Sequence, residues 1–470
     1  MTIADLKPYP SMKDSGVPWL GDVPEHWRAL PGKSCYREKK VPNMGLKETT
    51  VLSLSYGQIV FKPVDKLHGL VPASFETYQI VDAGNIIVRP TDLQNDWNSL
   101  RFGLSRHRGI ITSAYMCLLT TDTMMQDYGH LLLHAYDLKK VFYGLGSGLR
   151  QNLDWRDFKY LPCVVPPLPE QATIVRFLDQ ADRRIRKYIR AKQKLIKLLK
   201  EQKQAIIHRA VTRSLDPNVR LKPSGVEWLG EVPEHWEVRQ LKRLCRKIKT
   251  GGTPSGADEK FFEEGGFNWH TPSDFHDAIT LGDASRQLSK QGVQAVITFP
   301  QDTILMIGIG ATIGKVSISR KPCSCNQQIN AILPNYKLVC LNYLAYYLRT
   351  LRNYILNCGK FTTMPIINQD ETKRLPALLP PIHEQTEITD HIEREIKPFT
   401  ESITRTEREI ALIREYRTRL IADVVTGKLD VREAAVRLPD ETDEPEPIDN
   451  ADEPADNENG ENIEEVADVE

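Results

Sequence analysis

Residues 14–27 read DSGVPWLGDVPEHW, and residues 223–236 read PSGVEWLGEVPEHW. Eleven of these fourteen positions are identical in the two stretches. A second echo relates LPCVVPPLPEQ at residues 161–171 to LPALLPPIHEQ at residues 375–385. The two members of the first pair lie 209 residues apart and those of the second pair 214 residues apart, so the distances are nearly equal. The residues between the repeated stretches differ. The sequence therefore predicts two copies of one frame, each of which holds a different insert.

A long helix is predicted at the end of each frame. Pro169 suits the first turn of a helix, and apolar residues then recur at alternating spacings of four and three along residues 167–213. A similar stripe follows along residues 382–427, where Pro398 is expected to kink or split the helix. Each stripe alone has an alternative, ordinary core packing. Because a repeated chain can pair its helices two-fold, we expect an antiparallel pair that acts as a spacer. The residues expected to contact the other helix or a partner subunit are Ile174, Leu178, Ile185, Leu195, Leu199, Ile392, Phe399, Ile403, Ile410 and Ile413.

The inserts contain short β-branched runs separated by turn residues, such as GNIIVRP at residues 84–90 and TILMIG at residues 303–308. This pattern is typical of small, mixed α/β domains. The predicted fold is mixed α/β, with two α/β domains separated by two long antiparallel coiled-coil helices. The expected boundaries are 1–166 for the first domain, 167–213 for its helix, 214–381 for the second domain, 382–427 for its helix and 428–470 for a C-terminal segment.

The charge of the chain is unevenly distributed. All 62 basic residues are balanced by 62 acidic ones over 470 residues. Residues 439–470, however, hold 15 acidic residues and no basic residue, so the remainder carries a net charge of +15. The acidic tail has no aromatic residue, and its composition predicts disorder. It is either a solubilising tail or a nucleic-acid mimic that competes for the basic body.

Several other classes of protein do not match the sequence. No apolar run approaches the ~18 residues of a membrane span. Eight Cys residues form no CxxC pair, which favours a reducing cytoplasm. The spacing within residues 308–316 fails the phosphate-loop pattern, although a nucleotide hydrolase using residues 310–315 stays an alternative. His130 and His134 lack a third metal ligand, so we predict neither catalysis nor a metal site.

Basic and amide side chains predict contact with a polyanion instead. Residues 239–249 hold six basic residues in eleven, which we interpret as the polar face of a helix, with an ordinary solvated surface helix as the alternative. Arg, Asn and Gln make paired contacts to base edges, and Lys and Arg elsewhere contact phosphates. The candidate DNA-binding residues are Lys33, Arg37, Arg89, Asn95, Arg101, Arg106, Arg108, Tyr115, Arg150, Arg239, Lys242, Arg243, Arg246, Lys247, Lys249, Thr253, Lys315, Asn326, Gln327 and Gln328.

These motifs together resemble one family, the specificity subunits of Type I restriction-modification systems. The repeated SGV-x-WLG-x-VPEHW, the PP-x-x-EQ helix entries and ADVVTGKLDV at residues 422–431 resemble its repeated frame. KTGGTP at residues 249–254, GATIGK at 310–315 and GSGLRQ at 146–151 resemble its target-recognition domains. The resemblance covers nearly the whole chain except the acidic tail.

The resemblance implies two target-recognition domains that each read one half of a bipartite, asymmetric site in double-stranded DNA. It also implies two modification (methyltransferase) subunits that use S-adenosylmethionine, and two restriction/translocase subunits that use ATP and Mg. The chain itself is then expected to bind no cofactor, to be no enzyme and to lie in the cytoplasm of a bacterium or archaeon. The alternative is a non-catalytic coiled-coil interaction or decoy protein whose acidic tail mimics DNA.

Overall fold

A computed structural model describes residues 6–62, 74–97, 99–145, 151–254, 259–358 and 365–438. The chain divides into two compact units. The first unit combines Met1–Gln193 with Arg408–Glu470, and the second is Lys194–Glu407. The acidic tail of residues 439–470 and the candidate Arg150 lie outside the described residues.

The first repeat consists of short strands and three short or medium helices, followed by one long helix. Its strands are β1 (Met12–Asp14), β2 (Asp22–Pro24), β3 (Arg28–Pro31), β4 (Tyr36–Lys39), β5 (Leu52–Ser55), β6 (Gln58–Phe61), β7 (Gln79–Val81), β8 (Ile86–Val88), β9 (Phe102–Leu104), β10 (Gly109–Ile111), β11 (Met116–Thr120) and β12 (Pro162–Val165). Its helices are α1 (Gly32–Cys35), α2 (Gln126–Leu138), α3 (Trp155–Lys159) and α4 (Leu168–Arg213).

The second repeat has the same plan and ends in a second long helix. Its strands are β13 (Leu221–Pro223), β14 (Glu231–Pro233), β15 (Glu237–Gln240), β16 (Cys245–Thr250), β17 (Phe262–His270), β18 (Gln287–Leu288), β19 (Thr303–Ile307), β20 (Val316–Ser319), β21 (Ser324–Cys325), β22 (Ile329–Pro334) and β23 (Pro376–Leu379). Its helices are α5 (Lys290–Gln294), α6 (Leu341–Thr350), α7 (Arg352–Cys358), α8 (Gln369–Arg374), α9 (Ile382–Val425) and, after the long helix, α10 (Arg432–Val436).

Each unit contains a four-stranded antiparallel sheet with the same strand order. The order is β4-β11-β8-β9 in the first unit and β16-β22-β19-β20 in the second. The central strands are continuous buried runs of Ile, Val, Leu and Met, as expected for strands covered on both faces. The flanking hairpins also match, since β1 pairs with β2 and β13 with β14 in the same register. The structure confirms two mixed α/β domains built on one repeated frame.

A contact between a repeated tryptophan and a repeated glutamate explains why the two repeated stretches occur together in each half of the chain. Trp27 is fully buried, and its indole nitrogen donates to Glu170 Oε1 at 3.0 Å in the first turn of α4. Trp236 is likewise fully buried, and its indole nitrogen donates to Glu384 Oε2 at 3.1 Å in the first turn of α9. A carboxylate is also favoured at a helix N-terminus. Each WLG-x-VPEHW stretch therefore fixes the start of the long helix that ends its own repeat.

The glutamine of each PP-x-x-EQ entry has a matching structural role. Gln171 is fully buried, and its amide nitrogen donates to the carbonyls of Thr123 and Pro166 at 3.0 and 2.9 Å. Gln385, also fully buried, donates to the carbonyls of Leu338 and Pro380 at 3.1 and 2.8 Å. Because buried carbonyls need partners, each glutamine joins its helix to the insert that precedes it.

The two long helices pair antiparallel, as predicted. In the first unit, Ile174 near the start of α4 shares a buried core with Val424 near the end of α9. Cross-helix ion pairs there follow the same direction, from Asp182–Arg417 to Lys192–Glu409. In the second unit, the opposite ends meet, where Ile207, Ala210 and Val211 of α4 share a core with Ile388 and Ile392 of α9.

The predicted stripe of α4 is displaced at several positions. Leu195 is 41% exposed and Tyr188 is 44% exposed, whereas the neighbouring Ile189 is buried. A straight helix repeats every 3.6 residues, so a heptad pattern drifts by about 20° per seven residues. This drift turns Leu195 away from the helix pair, and its contact with a partner subunit stays a prediction. Of the other expected contacts, Ile174, Leu178, Ile392, Ile403 and Ile410 are buried, and Ile185, Leu199, Phe399 and Ile413 are half-buried.

The structure contradicts one of the two alternatives for Pro398, a split helix, and also the helix predicted over residues 239–249. Helix α9 is continuous from Ile382 to Val425 and is not split at Pro398. That proline is exposed, so solvent can reach the carbonyl whose helical hydrogen bond it removes. Residues 239–249 are not a helix but the end of β15, the 3-10 turn Leu241–Arg243 and most of β16. The apolar spacing within that run also fits a turn followed by a strand, and pairing of β15 with β23 and of β16 with β22 decides between them.

Candidate nucleic-acid interface

One end of the four-stranded sheet in the second unit gathers several polar loops. The connections there follow β16, join β19 to β20, and precede β22. Thr253 Oγ1 donates to Gln327 Oε1 at 2.5 Å, so the KTGGTP loop contacts the loop before β22. The amide of Gly308 donates to the carbonyl of Gln328 at 2.7 Å, which joins the β19–β20 connection to the same loop. Three motifs that are distant in sequence therefore form one surface.

A glycine makes this close approach possible. A Cβ atom on Gly251 would lie 2.2 Å from the carbonyl oxygen of Cys325, which leaves no room for a side chain. Next to it, Thr250 Oγ1 donates to Asn330 Oδ1 at 2.7 Å. The amide of Asn326 donates to the carbonyl of His270 at 3.0 Å, so the end of β17 also reaches this surface. The turn after β17 adds Thr271 and Ser273, which we did not predict because their motif contains no basic or amide residue.

The side chains of this surface have different roles. Asn326 is buried, and its side chain bonds to the backbone amide and the side-chain oxygen of Gln328, at 3.1 and 2.8 Å. It therefore shapes the loop, which contradicts its prediction as a DNA contact. Gln327 and Thr253 are exposed, and Gln328 and Lys315 are half-buried at the same end of the sheet.

Buried ionisable groups support the turn after β17. Hydrogen bonds from Ser285 and Thr271 hold the pKa of Asp274 below its usual value, against the opposing effect of burial. Burial lowers the pKa of His270, whose ring lies 3.9 Å from Asp274. The turn that presents Thr271 is thus held by a buried carboxylate.

The equivalent end of the first unit carries other candidates. Arg89, Asn95 and Arg101 lie in the connection from β8 to β9, and Tyr115 precedes β11. Arg89 is half-buried and pairs with Asp96 at 3.4 Å within the same connection. Asn95 is exposed, and Tyr115 is half-buried. The connection from β8 to β9 occupies the same position in its sheet as residues 308–315 occupy in the sheet of the second unit.

The two units also fix this connection in the same way. In the first unit, the amide of Leu153 donates to the carbonyl of Pro90 at 2.8 Å. In the second unit, the amide of Ile367 donates to the carbonyl of Gly308 at 2.8 Å. Both donors stand just before a short helix, α3 or α8. The scaffold is therefore shared, and only the side chains that it presents differ.

Arg101 is not a DNA contact. Its side chain is fully buried, and its guanidinium donates to the carbonyls of Thr91, Asp92 and Asp96 at 2.6, 3.2 and 2.7 Å. A guanidinium has five fixed donors and is costly to bury unless they are satisfied. The sequence marks a basic residue here but gives no sign that it points inward.

Other candidates lie away from this end of the sheets. Arg106 pairs with Asp127, and Arg108 pairs with Asp82 at 2.6 Å, both beyond the opposite end of β9. Lys33, Lys242 and Arg243 precede the edge strands β4 and β16 at that opposite end. Arg239 lies on β15 and pairs with Glu237 at 2.6 Å.

The edge strands themselves carry exposed basic side chains. These are Arg37 on β4, and Arg246, Lys247 and Lys249 on β16. Lys247 and Lys249 are two residues apart and therefore share one face of β16. Cations on an edge strand also discourage edge-to-edge pairing, so a structural role accounts for them equally well. Lys249 differs from the rest because it lies next to the loop that contains Thr253.

The described ranges contain no group of three metal-ligating side chains arranged to hold an ion. In the same ranges, no helix is both long and apolar enough to cross a membrane. The exposed side chains of Lys249, Thr253 and Gln327 give the surface of the second unit hydrogen-bonding groups and positive charge. Such groups suit a polyanion whose bases present hydrogen-bonding edges.

The architecture defines a class of protein in which two α/β domains on a repeated frame present unlike polar surfaces. Residues 233–412 match the family model described as the Type I restriction modification DNA specificity domain. A chain from a structural study of complex assembly and conformational transition of the type I R-M system superposes with a TM-score of 0.61 at 16% identity, over 87% of this chain and 99% of that one.

Relatives in sequence carry the same description. The putative type I restriction enzyme MjaX specificity subunit of Methanocaldococcus jannaschii is 20% identical over 88% of this chain and 96% of its own length. The MjaIX specificity subunit of the same organism is 28% identical over 34% of this chain, a match that spans 38% of the relative. The EcoR124I/EcoR124II specificity subunit of Escherichia coli is 26% identical over 58% of this chain and 67% of its own length. Residues 233–412 thus match the DNA specificity domain of this family, and the chain is similar over most of its length to a Type I restriction enzyme specificity subunit.

Proposed function

We propose that this chain is the sequence-specific DNA-binding subunit of a Type I restriction-modification complex. One observation carries the proposal: both units present the same end of the same sheet, but with different side chains. A shared scaffold with unlike surfaces suits a protein that reads two unlike sequences. Its target is then double-stranded DNA with an asymmetric, bipartite site.

The similarity to specificity subunits supports a proposal for the partners and the chemistry of the complex. The chain assembles with two modification subunits, which use S-adenosylmethionine, and with two restriction subunits, which use ATP and Mg. It is itself non-catalytic and supplies recognition to the complex. The similarity to specificity subunits favours this function over a decoy protein with a DNA-mimicking tail.

A domain exchange tests the proposal. Residues 28–160 are replaced by the corresponding insert of another specificity subunit, and the methylated bases of DNA modified by the complex are mapped. We expect one half of the recognised sequence to change and the other to stay the same. Replacing residues 237–374 is the matched control and should change only the other half. A change in both halves, or in neither, would refute the modular reading.

A further inference from the structure

The connection from β8 to β9 in the first unit is organised around a buried cation. We propose that it is a preformed reading loop for an A·T base pair, in which Gln94 contacts adenine, Trp97 contacts the thymine methyl group and Arg101 is the positioning residue. This inference rests on the proposed function and specifies which side chains read the first half-site.

Arg101 fills the interior of the loop. Besides its three close backbone acceptors, Nη1 lies 3.4 Å from the carbonyl of Arg89, and Nε lies 3.4 Å from Tyr143 Oη. Its own backbone amide donates to Asp137 Oδ2 at 2.9 Å. A charge is buried at high cost, and the loop carbonyls that accept from it can no longer turn outward. The loop is therefore rigid before any ligand binds.

Further bonds fix the outer half of the loop. The amide of Asp92 donates to Asn152 Oδ1 at 3.0 Å, and the backbone of Asp92 has a positive φ of 59°. The amide of Asp96 donates to the carbonyl of Asp92 at 3.1 Å, which closes a turn. Leu93 is fully buried and anchors this turn to the domain. The residues between these anchors must then face solvent.

Gln94, Asn95 and Trp97 are exposed in this arrangement, and the amide nitrogen of Asn95 already donates to Asp92 Oδ1 at 2.8 Å within the loop. The Trp97 indole nitrogen donates to the carbonyl of Gln94 at 3.1 Å, so the two are held together. One face of the indole stacks on Tyr143, with ring centres 4.4 Å apart and planes inclined by 27°. Even so, 53% of Trp97 is exposed. The hydrogen bond and the stacking hold the indole in one orientation, so Trp97 presents a fixed apolar surface beside Gln94.

The chemistry of these two side chains selects a base pair. The amide nitrogen of a glutamine donates to N7 while its amide oxygen accepts from the N6 amino group, which is the paired contact characteristic of adenine in the major groove. An apolar surface beside it suits the C5-methyl group of thymine. An A·T pair offers both features across its major-groove edge. A G·C pair offers no methyl group and a different order of donors and acceptors.

The second unit lacks this pair of side chains at the equivalent position. Its connection from β19 to β20 has glycines with positive φ at Gly310 and Gly314, and its exposed amide comes from Gln327 in another loop. If Gln94 and Trp97 served the scaffold that both units share, the second unit would have similar side chains at the matching positions. Their presence in only one unit fits a role in reading one half-site.

The test uses the full-length chain assembled with its modification subunits. Duplexes retained from a random-sequence library are sequenced for the wild type, Gln94→Ala and the matched variant Gln327→Ala. We expect Gln94→Ala to lose preference at one A·T position of one half-site by roughly 5- to 150-fold. Gln327→Ala should leave that position intact. If Gln94→Ala retains the full preference of the wild type, the inference is wrong although the proposed function stands.

A wild-type complex that enriches no split sequence would overturn the proposed function itself, so the two failures are distinguishable. The contact of Trp97 is tested separately, by measuring binding to the selected duplex with uracil in place of thymine. Loss of the methyl group should weaken wild-type binding by about fourfold and should not affect Trp97→Ala. Equal losses in both proteins would contradict the contact.

The positioning role of Arg101 needs a readout beyond stability. Arg101→Lys keeps the charge but cannot reach all the carbonyls at once. We expect it to lose discrimination in the first half-site while keeping the second half-site and the salt dependence of binding. Equal loss in both half-sites would show that Arg101 only stabilises the fold.

Discussion

The indole nitrogen of Trp27 donates a hydrogen bond of 3.0 Å to Glu170 Oε1, which ties the repeated stretch to the first turn of α4. The same carboxylate accepts a 2.7 Å bond from the hydroxyl of Tyr9 and lies 2.7 Å from His26 Nε2. One side chain therefore joins the N-terminal segment, the first frame motif and the long helix. The equivalent Trp236–Glu384 bond repeats the joint in the second unit.

Removing the charge at this joint should destabilise the first unit. In Glu170→Gln, the amide oxygen can still accept from Tyr9 and Trp27, but both bonds lose their charged acceptor, and the amide nitrogen replaces the oxygen that faces His26 Nε2. We expect the free energy of unfolding to fall by about 1–3 kcal/mol in urea titrations. Glu201→Gln, at an exposed position of the same helix, is the control and should have little effect. Equal midpoints for the two variants would argue against the joint.

Two histidines on α2 should make stability depend on pH. Burial lowers the pKa of His130 from 6.5 to about 4 and that of His134 to about 3. Between pH 6.5 and 4, the unfolded chain therefore binds protons that the folded chain does not. The free energy of unfolding must fall as the pH falls through this window.

The variant His134→Gln removes one of these groups. Its unfolding free energy should decline less steeply on acidification, with a difference from the wild type of about 2 kcal/mol between pH 7 and 5. Urea unfolding at several pH values measures this slope. The exposed His383→Gln is the control and should keep the wild-type slope. A His134→Gln slope as steep as the wild type would contradict the burial argument.

The frame could be predicted because its residues carry a local signal that is written twice. The identical tryptophans are both buried, and the PP-x-x-EQ entries do begin long helices. The Trp27–Glu170 bond could not be predicted, because nothing in one sequence shows that residues so far apart meet. The stripe on α4 failed near Tyr188, since a heptad rule accumulates error along a straight helix.

The candidate site was predictable in composition but not in placement. Charge and amide content pointed to both inserts, and the structure brings Thr253 and Gln327 together. The same rule also chose Arg101, which is buried, and Arg108, which lies beyond the other end of its sheet. Residue type does not reveal which way a side chain points, and Trp97 was missed because an exposed aromatic looks like a core residue in sequence.

Two neighbouring glycines provide a sharp test of the surface in the second unit. A Cβ on Gly251 would collide with the backbone of Cys325, whereas a Cβ on Gly252 would meet no atom within 4 Å. Gly251→Ala should therefore separate the KTGGTP loop from the loop that contains Gln327. We expect this variant to lose discrimination in one half-site and several degrees of Tm, while Gly252→Ala behaves like the wild type. Sequencing of selected duplexes and thermal unfolding measure the two effects, and identical behaviour of both variants would refute the contact.

Two lysines at opposite ends of the edge strand β16 can show which end of the sheet faces DNA. Lys249 lies at the end that carries the polar loops, whereas Lys242 precedes the strand at the opposite end, and both are exposed. If Lys249 contacts a phosphate, Lys249→Gln should reduce the slope of log affinity against log salt by about 1, because one fewer counterion is released. Lys242→Gln should leave the slope unchanged, although both variants lose one positive charge. A reduced slope for Lys242→Gln alone would place the DNA at the opposite end of the sheet, and equal slopes for the two variants would mean that Lys249 protects the strand edge rather than binding DNA.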